Sequence, residues 1–536
     1  MKDNKNRITW IFSALLSLDY FVGKEVYINH QIDDLFSNAY SLGVIVIKTA
    51  LLSILIHFLI EKTIIKWIQN NQQISFKGQN LSKKMRMVCL FLFWAGIFLS
   101  WFPAFLAYYP GIFSYDAHTQ TRIVLGLIEN SRFHPPLHTL MWKVCINIEN
   151  KAGIPALVIY SVSQMLLLSF VFAQMLLIIV LQQPCVLFSV FSAGFIMLNP
   201  VMAIMSLPVT KDIPFTAVLT ALIIKLFQME KNSEEFFGNL RNSIILIALC
   251  TVACLLRNNM IYVLILSFIL IIVKKREYRK ELAAVFIISV YGYFLINGPV
   301  YDRMGVGSGD PREALSVPIQ QISRTVIENR EKLSEKEKQL IDDFLPYDSI
   351  ESLYNPRLAD PLKSKFKSLY FKTHKREYAD LWIQLFKKYP AAYINAFLDL
   401  NIPYWYIGAS SVDPYSKRAF IETANYKLDF YNAERTSRAP ALLNYYELFA
   451  SYSLFANKSA YMAMVYSIAL PIWLILFCIT VMIRLDRRRF IICFLPYLFL
   501  WVTYMAGPVS NFRYIFPIYT AYPFFLFLAV FHRESA

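Results

Sequence analysis

Residues 87–107 read MVCLFLFWAGIFLSWFPAFLA, and Tyr108 to Gln120 continue as YYPGIFSYDAHTQ. The first stretch decides the class of fold, because about 20 apolar residues in one helix cross the hydrocarbon core of a bilayer. The second places a carboxylate, several tyrosines and a Pro-Gly turn where that helix ends. Similar apolar runs recur along the 536 residues, which are 57% hydrophobic and 16% aromatic, a composition outside the soluble globular range. Spans are predicted near 8–23, 41–61, 88–108, 154–181, 185–205, 213–228, 242–256, 260–274, 282–300, 461–483, 490–506 and 514–532. The expected fold is all-α, a polytopic membrane protein with about 12 transmembrane helices (11–14).

The net charge of +16 does not indicate nucleic acid, because the basic residues sit in short segments between spans. One cluster is Lys62, Lys66, Lys77, Lys83, Lys84 and Arg86, a second is Lys274, Lys275, Arg276, Arg279 and Lys280, and a third is Arg484, Arg487, Arg488 and Arg489. Such clusters mark cytoplasmic loops and meet anionic headgroups. Twelve spans put all three clusters and both termini on the cytoplasmic side. No A-x-A-like cleavage site follows residues 8–23, so that segment reads as a retained span. Seven cysteines lie in or beside spans, none of them in 301–460, which excludes a disulfide framework there. Cys250 and Cys254 share a helical face and read as packing residues.

The chain divides into residues 1–87, a two-span segment with a basic loop; 88–300, a transmembrane core holding the outer loop 109–153; 301–460, an extracytoplasmic helical segment; and 461–536, the last three spans. Helices are predicted in the third part from the capping box Ser334–Glu337, from the helical spacing in REALSVPIQQISRTVIENRE, and from KREYADLWIQLFKKYP with its stop at Pro390. GVGSGDP (305–311) has the composition of a phosphate loop but follows a span instead of a strand, so it reads as a mobile loop. Tyr404–Trp405–Tyr406 reads as an interfacial aromatic belt, with a sugar-stacking platform as the alternative.

Polar residues gather at the outer ends of the spans. The first loop supplies Tyr115, Asp116, His118, Arg122, His134 and His138; later turns supply Lys211 and Asp212, then Arg257, Asn258 and Asn259, then Asn511, Arg513 and Tyr514. Charges near hydrocarbon are kept where they are paired or used. Lys211, Arg257 and Arg513 suit a phosphate at membrane depth, which points to a polyprenyl-phosphate lipid. Asp116 suits the general base of a glycosyl transfer, and the lack of a neighbouring acid in its loop favours inversion. Plainer readings stand beside these: a carboxylate favoured by the helix dipole at Asp116, snorkelling at Arg257 and Arg513, and a local ion pair between Lys211 and Asp212. His134 and His138, a helical turn apart, would with Asp116 make a partial ligand set for a divalent metal.

The layout resembles the GT-C superfamily of membrane glycosyltransferases, which includes protein mannosyltransferases and the aminoarabinose transferases of lipid A. The resemblance rests on Asp116 within PGIFSYDAHTQ, on the His134–Pro135–Pro136–Leu137 element, on the juxtamembrane helical character of that loop, and on Lys211, Arg257 and Arg513 at outer span ends. It implies a polyprenyl-phosphate-sugar donor, Asp116 as the catalytic base, and His134 at an acceptor-site or structural position. Protein mannosyltransferases tend to carry an Asp-Glu pair where this chain has Asp116–Ala117. The chain is also similar to a group of bacterial multi-pass proteins sharing YPGIFSYD, TKDIPF, RNN and REALSVPIQQ, a likeness that implies no activity.

The function expected from these features is transfer of a sugar from a polyprenyl-phosphate donor to a cell-envelope glycan, teichoic-type polymer or lipid, on the outer face of a bacterial plasma membrane. A polymerase or ligase acting on pyrophosphate-linked glycans is the alternative transferase. A lipid-linked-sugar flippase is the alternative from another class, disfavoured because mid-span charges are few (Asp19, Lys48, Lys225).

Overall fold

The computed structural model describes residues 2–36, 38–70, 81–182, 185–409, 415, 418–425, 427–451 and 466–531. The predicted basic residue Lys77, the start of the predicted span 461–483, and the extreme ends assigned to the cytoplasm lie outside the described residues. Among the described residues every regular element is helical, and β-pairing is confined to isolated bridges. This is an all-α membrane protein.

Six helices are long and apolar enough to cross a membrane: Ala39–Asn70, Lys83–Ala107, Ala156–Gln182, Asp212–Lys231, Arg276–Arg303 and Phe512–Phe531. The expected count of about 12 is therefore corrected, and the reason is physical. Apolar runs that read as single spans are divided by helix-breaking residues or are too short. The run 185–205 breaks into Val186–Met197 and Pro200–Met205, with Asn199 capping the second piece through Val201 N. The run 490–506 divides into a 3-10 turn, Arg488–Cys493, and the helix Leu495–Tyr504, with Pro496 in its first turn. Leu240–Leu256, Met260–Lys274 and Leu470–Arg484 remain as shorter apolar helices.

The helix Lys83–Ala107 is lipid-facing on one side and packed on the other. Ser82 accepts a hydrogen bond from Met85 N and starts it. Phe91, Leu92 and Leu99 are exposed, whereas Trp101 is fully buried and donates its indole N–H to Ile196 O at 2.9 Å. Exposed large apolar side chains on a long helix are stable only in a lipid solvent. Asp212–Lys231 is the central helix, buried along its length against Ala156–Gln182, Leu240–Leu256 and Phe512–Tyr519.

The two ends of that central helix differ. Its C-terminal end carries Glu230, which meets Lys275 at 3.0 Å and Arg489 at 3.6 Å, and nearby Arg484 grips Glu61 at 2.8 Å. Members of the second and third basic clusters thus meet carboxylates at one end of the bundle. Its N-terminal end carries Asp212 and the candidate site, about 30 Å away at 1.5 Å per residue.

Residues 315–393 build a separate hydrophobic core, with Ile319, Ile322, Val326, Ile341, Phe344 and Leu385 at its centre. The capping box at Ser334 and Glu337 forms, and Lys375–Lys388 ends before Pro390, which opens the next helix. Polar contacts join this unit to the bundle. Buried Asp399 pairs with His30 at 2.7 Å and Arg357 at 3.2 Å, and Ala359 N donates to Pro508 O at 2.8 Å. Tyr404 and Tyr406 are buried at this joint, with Tyr404 stacked on Tyr504, so they are neither an interfacial belt nor an exposed platform. The 305–311 loop is tied down rather than mobile, because Gly307 N donates to Asn130 O and Gly307 O accepts from Arg132 N.

The turn at Gly111 locks the loop that follows Lys83–Ala107 onto the bundle. Gly111 has φ +146, and a Cβ there would lie 2.5 Å from Ser161 Oγ and 3.2 Å from Leu157 O. Ser161 is itself committed to Leu207 O, and Val209 N donates to Ile112 O. Gly111→Ala is therefore expected to destabilise the protein by about 2 kcal/mol or more. A lowered midpoint in thermal unfolding of the detergent-solubilised chain would register that loss; an unchanged midpoint would contradict it.

Candidate functional site

Asp116 lies in the first turn of the helix Tyr115–Val124, after Ser114 in extended conformation. Ser114 Oγ donates to Val209 O at 2.9 Å, so the start of this helix is fixed to the segment carrying Lys211 and Asp212. Lys211 Nζ lies 3.1 Å from Asp116 Oδ2, and Arg513 Nη1 lies 3.3 Å from Oδ1. Arg257 Nη2 meets Asp212 Oδ1 at 3.2 Å, and Arg513 Nε lies 3.9 Å from Asp212 Oδ2. Four separate segments of the chain therefore close one buried ion network. Lys211 and Asp212 do not pair with each other, so the local-pair reading is corrected. Arg257 and Arg513 are 7% and 6% exposed, which excludes snorkelling.

Aromatic rings hold the guanidinium groups in place. Arg257 lies over Phe215, Tyr504 and Tyr514 at 5.5, 4.8 and 5.0 Å, and its Nη1 donates to Tyr504 Oη at 2.6 Å. Arg513 lies over Tyr115 and Tyr514 at 5.3 and 4.9 Å and donates to Tyr514 Oη at 3.1 Å. Thr210 Oγ1 donates to Asp212 Oδ2 at 3.0 Å. Such packing keeps charges whose desolvation is costly in fixed geometry.

Lys211, Arg257 and Arg513 set three positive charges against the two carboxylates Asp116 and Asp212. Burial alone would raise the Asp116 carboxyl, yet Lys211 and Arg513 hold it well below the usual carboxylate range. Burial pushes the His134 imidazole down to about 4, with Lys211 and Arg513 adding to the effect and Asp116 opposing it. With His134 neutral, the cluster carries one uncompensated positive charge and is suited to an anion.

The network forms one wall of a cavity of about 440 Å³, which Tyr115, Asp116, His134, Lys211, Arg513 and Tyr514 line from the bundle side. Asp212 and Arg257 do not reach it and lie behind that wall. Across the cavity stand Arg312, Glu313, Asp360, Lys363 and Ser364 of the separate helical unit. These residues were missed in the sequence, where a polar segment offers no contrast that singles out a charge. REALSVPIQQ, which begins at Arg312, was the one signal that could have pointed to them.

The other predicted residues are placed differently. His138 is fully buried: Nδ1 is 2.8 Å from Gln120 Oε1 and Nε2 is 2.6 Å from Tyr160 Oη, while Gln120 Nε2 donates to Thr139. Burial drives its imidazole down to about 3. His138 braces the loop that carries Asp116. Asn258 reaches Arg132 O at 3.5 Å outside the cavity, and Arg122 neither lines the cavity nor makes an ion pair among the described residues. The metal reading is corrected by these contacts. Asp116 is taken by two cations and both His138 nitrogens are engaged, and no group of three or more His, Cys, Asp or Glu side chains gathers among the described residues. The ligand set does not fit a divalent cation.

A family model described as a family of unknown function, DUF6020, matches residues 134–536. No curated protein and no solved structure matches the chain. The matched region carries His134, Lys211, Asp212, Arg257 and Arg513, and begins after Asp116. It covers three-quarters of the sequence, and the chain belongs to the DUF6020 family.

Proposed function

We propose that the protein is a glycosyltransferase that takes a sugar from a polyprenyl-phosphate donor on the outer face of the plasma membrane, by inversion, with Asp116 as base. One observation carries this reading: Asp116, Lys211 and Arg513 converge with one surplus positive charge in a cavity at the end of the central membrane helix. The lipid phosphate sits on Lys211 and Arg513. An acceptor hydroxyl attacks the anomeric carbon, the bond from that carbon to the phosphate oxygen breaks, and Asp116 takes the hydroxyl proton. The polyprenyl phosphate leaves with the electron pair, its charge met by the same two cations. Entry of the phosphate also draws those cations away from Asp116, which makes the carboxylate a better base once donor is bound. Asp212 is fully buried behind Arg257, and the other carboxylates of the cavity, Glu313 and Asp360, are each paired with Lys363, which supports inversion over a nucleophilic carboxylate.

The outer-face orientation rests on the opposite end of the bundle, where Lys275, Arg484 and Arg489 gather, as cytoplasmic ends do. Thiol labelling tests it in a background without the seven native cysteines. Cysteine in place of the exposed cavity residue Ser364 is expected to react with a membrane-impermeant reagent in intact cells, and cysteine in place of Lys280 only after permeabilisation. The reverse pattern would put the cavity inside the cell and remove the reading.

A further inference from the structure

The cavity does not end at the ion network. A second hollow of about 320 Å³ adjoins it, lined by Ser131, Ser308, Gly309, Asp310 and Lys372, and the two hollows share Phe133 and Arg312. Together they make a groove leading away from Asp116, along the seam between the outer loop and the separate helical unit. Resting on the transferase reading, we propose that this groove holds the acceptor, and that the acceptor is an uncharged, hydroxyl-rich glycan chain of two or more sugars.

The charge pattern argues for an uncharged occupant. On the wall facing the ion network, Lys363 meets Glu313 at 2.7 Å and Asp360 at 3.1 Å, and Arg312 lies 3.7 Å from Glu313. Two cations balance two carboxylates there. In the second hollow Asp310 faces Arg312 at 3.3 Å and Lys372 is the remaining cation, so the groove beyond the ion network is balanced, three against three. A polyanion would meet three carboxylates and a polycation three ammonium or guanidinium groups. A polyol meets charged donors and acceptors on both sides, each able to make charge-assisted hydrogen bonds to hydroxyls.

Two further features suit a sugar chain. Phe133 is 44% exposed at the junction of the hollows. Its ring meets His134 edge to face, with centroids 4.6 Å apart, and still leaves apolar surface open between polar walls. A pyranose ring offers a C–H face that covers such a surface while its hydroxyls reach the walls. Next to it, His134 lines the first hollow at 7% exposure, and neither ring nitrogen has a hydrogen-bond partner among the described residues. An unsatisfied buried imidazole is costly, and the hydroxyl of the terminal acceptor sugar satisfies it beside Asp116.

Photo-crosslinking in the full-length chain, in the cells that make it, tests this while the acceptor is still unidentified. A diazirine side chain replaces Ser308 in the second hollow, and in a separate protein replaces Thr119 on the bundle wall of the first. Mass spectrometry then identifies the adducts. The expected adduct at 308 is a neutral glycan of at least two sugars, and Phe133→Ala lowers its yield on the order of tenfold while leaving a polyprenyl adduct at 119 unchanged. A phosphorylated or uronic-acid glycan, a single sugar, a peptide or no adduct at 308 would overturn the acceptor proposal. A polyprenyl adduct at 119 beside any of these leaves the donor reading standing. A neutral glycan at 308 with no polyprenyl at 119 keeps the groove and removes the donor.

Discussion

Asp116→Asn is expected to abolish sugar transfer, by roughly 10³-fold or more in kcat, while donor binding tightens. The two effects have one cause. Asp116 and the lipid phosphate compete for Lys211 and Arg513, which lie 3.1 and 3.3 Å from the carboxylate in the resting protein. An amide of the same shape removes the base and releases both cations to the phosphate. A merely structural carboxylate gives the opposite pattern, because breaking a buried ion pair weakens the site for every ligand. The pH dependence follows the same logic. Asp116 is held below the usual carboxylate range and His134 near 4, so in the free enzyme neither group changes charge between about pH 5 and 8. kcat/KM is therefore expected to show no acid limb from them in that window, whereas the acid limb of kcat moves upward because bound phosphate relieves Asp116 of its cations. For stability the sign is that of a depressed carboxyl: its contribution is full above about pH 4 and is lost as pH falls through the lowered value.

Arg513→Ala is expected to have the second-largest effect. Arg513 is shared by Asp116 and Asp212, so its removal leaves two buried carboxylates with one counterion each. Breaking a buried pair costs about 3–5 kcal/mol, and the loss of a charged hydrogen bond to the donor phosphate lowers affinity by roughly 100-fold. Reduced yield of folded protein is part of that expectation. Lys211→Met separates the two contributions, because Lys211 touches only Asp116 among the carboxylates and Arg513 still holds the network together. Its expected outcome is a smaller loss of thermal stability than in Arg513→Ala, with donor affinity lowered at least tenfold. Unchanged donor affinity in both variants would remove the phosphate from this wall.

The membrane class was legible because apolar runs such as 87–107 have no other solvent. The number of spans was not legible. Asn199–Pro200 and Pro496 break runs whose composition alone looks continuous, and a helix packed inside a bundle need not be long enough to cross by itself. Asp116, Lys211, Arg257 and Arg513 stood out because they lie at helix ends away from the basic clusters, where charges near hydrocarbon are kept only if paired or used. Their pairing was hidden by adjacency: Lys211 and Asp212 are neighbours in sequence, but successive residues at a helix start point in different directions, and each finds its partner on another segment. The two histidines misled for a related reason. His134 precedes Pro135, outside the helix that begins at Pro136, so the spacing to His138 does not put both on one face. The opposite wall, from Arg312 to Lys363, was illegible because charged residues are ordinary in a polar segment, and only folding brings these to the site.

The most direct measurement is the dissociation constant of a polyprenyl phosphate for the purified full-length protein by native mass spectrometry, comparing the natural chain with Asp116→Asn. The account predicts that the natural chain binds the lipid, that a polyprenol lacking the phosphate does not compete, and that Asp116→Asn binds the phosphate more tightly. No binding by the natural chain, or weaker binding by Asp116→Asn, would contradict the claim that this carboxylate and a lipid phosphate share Lys211 and Arg513.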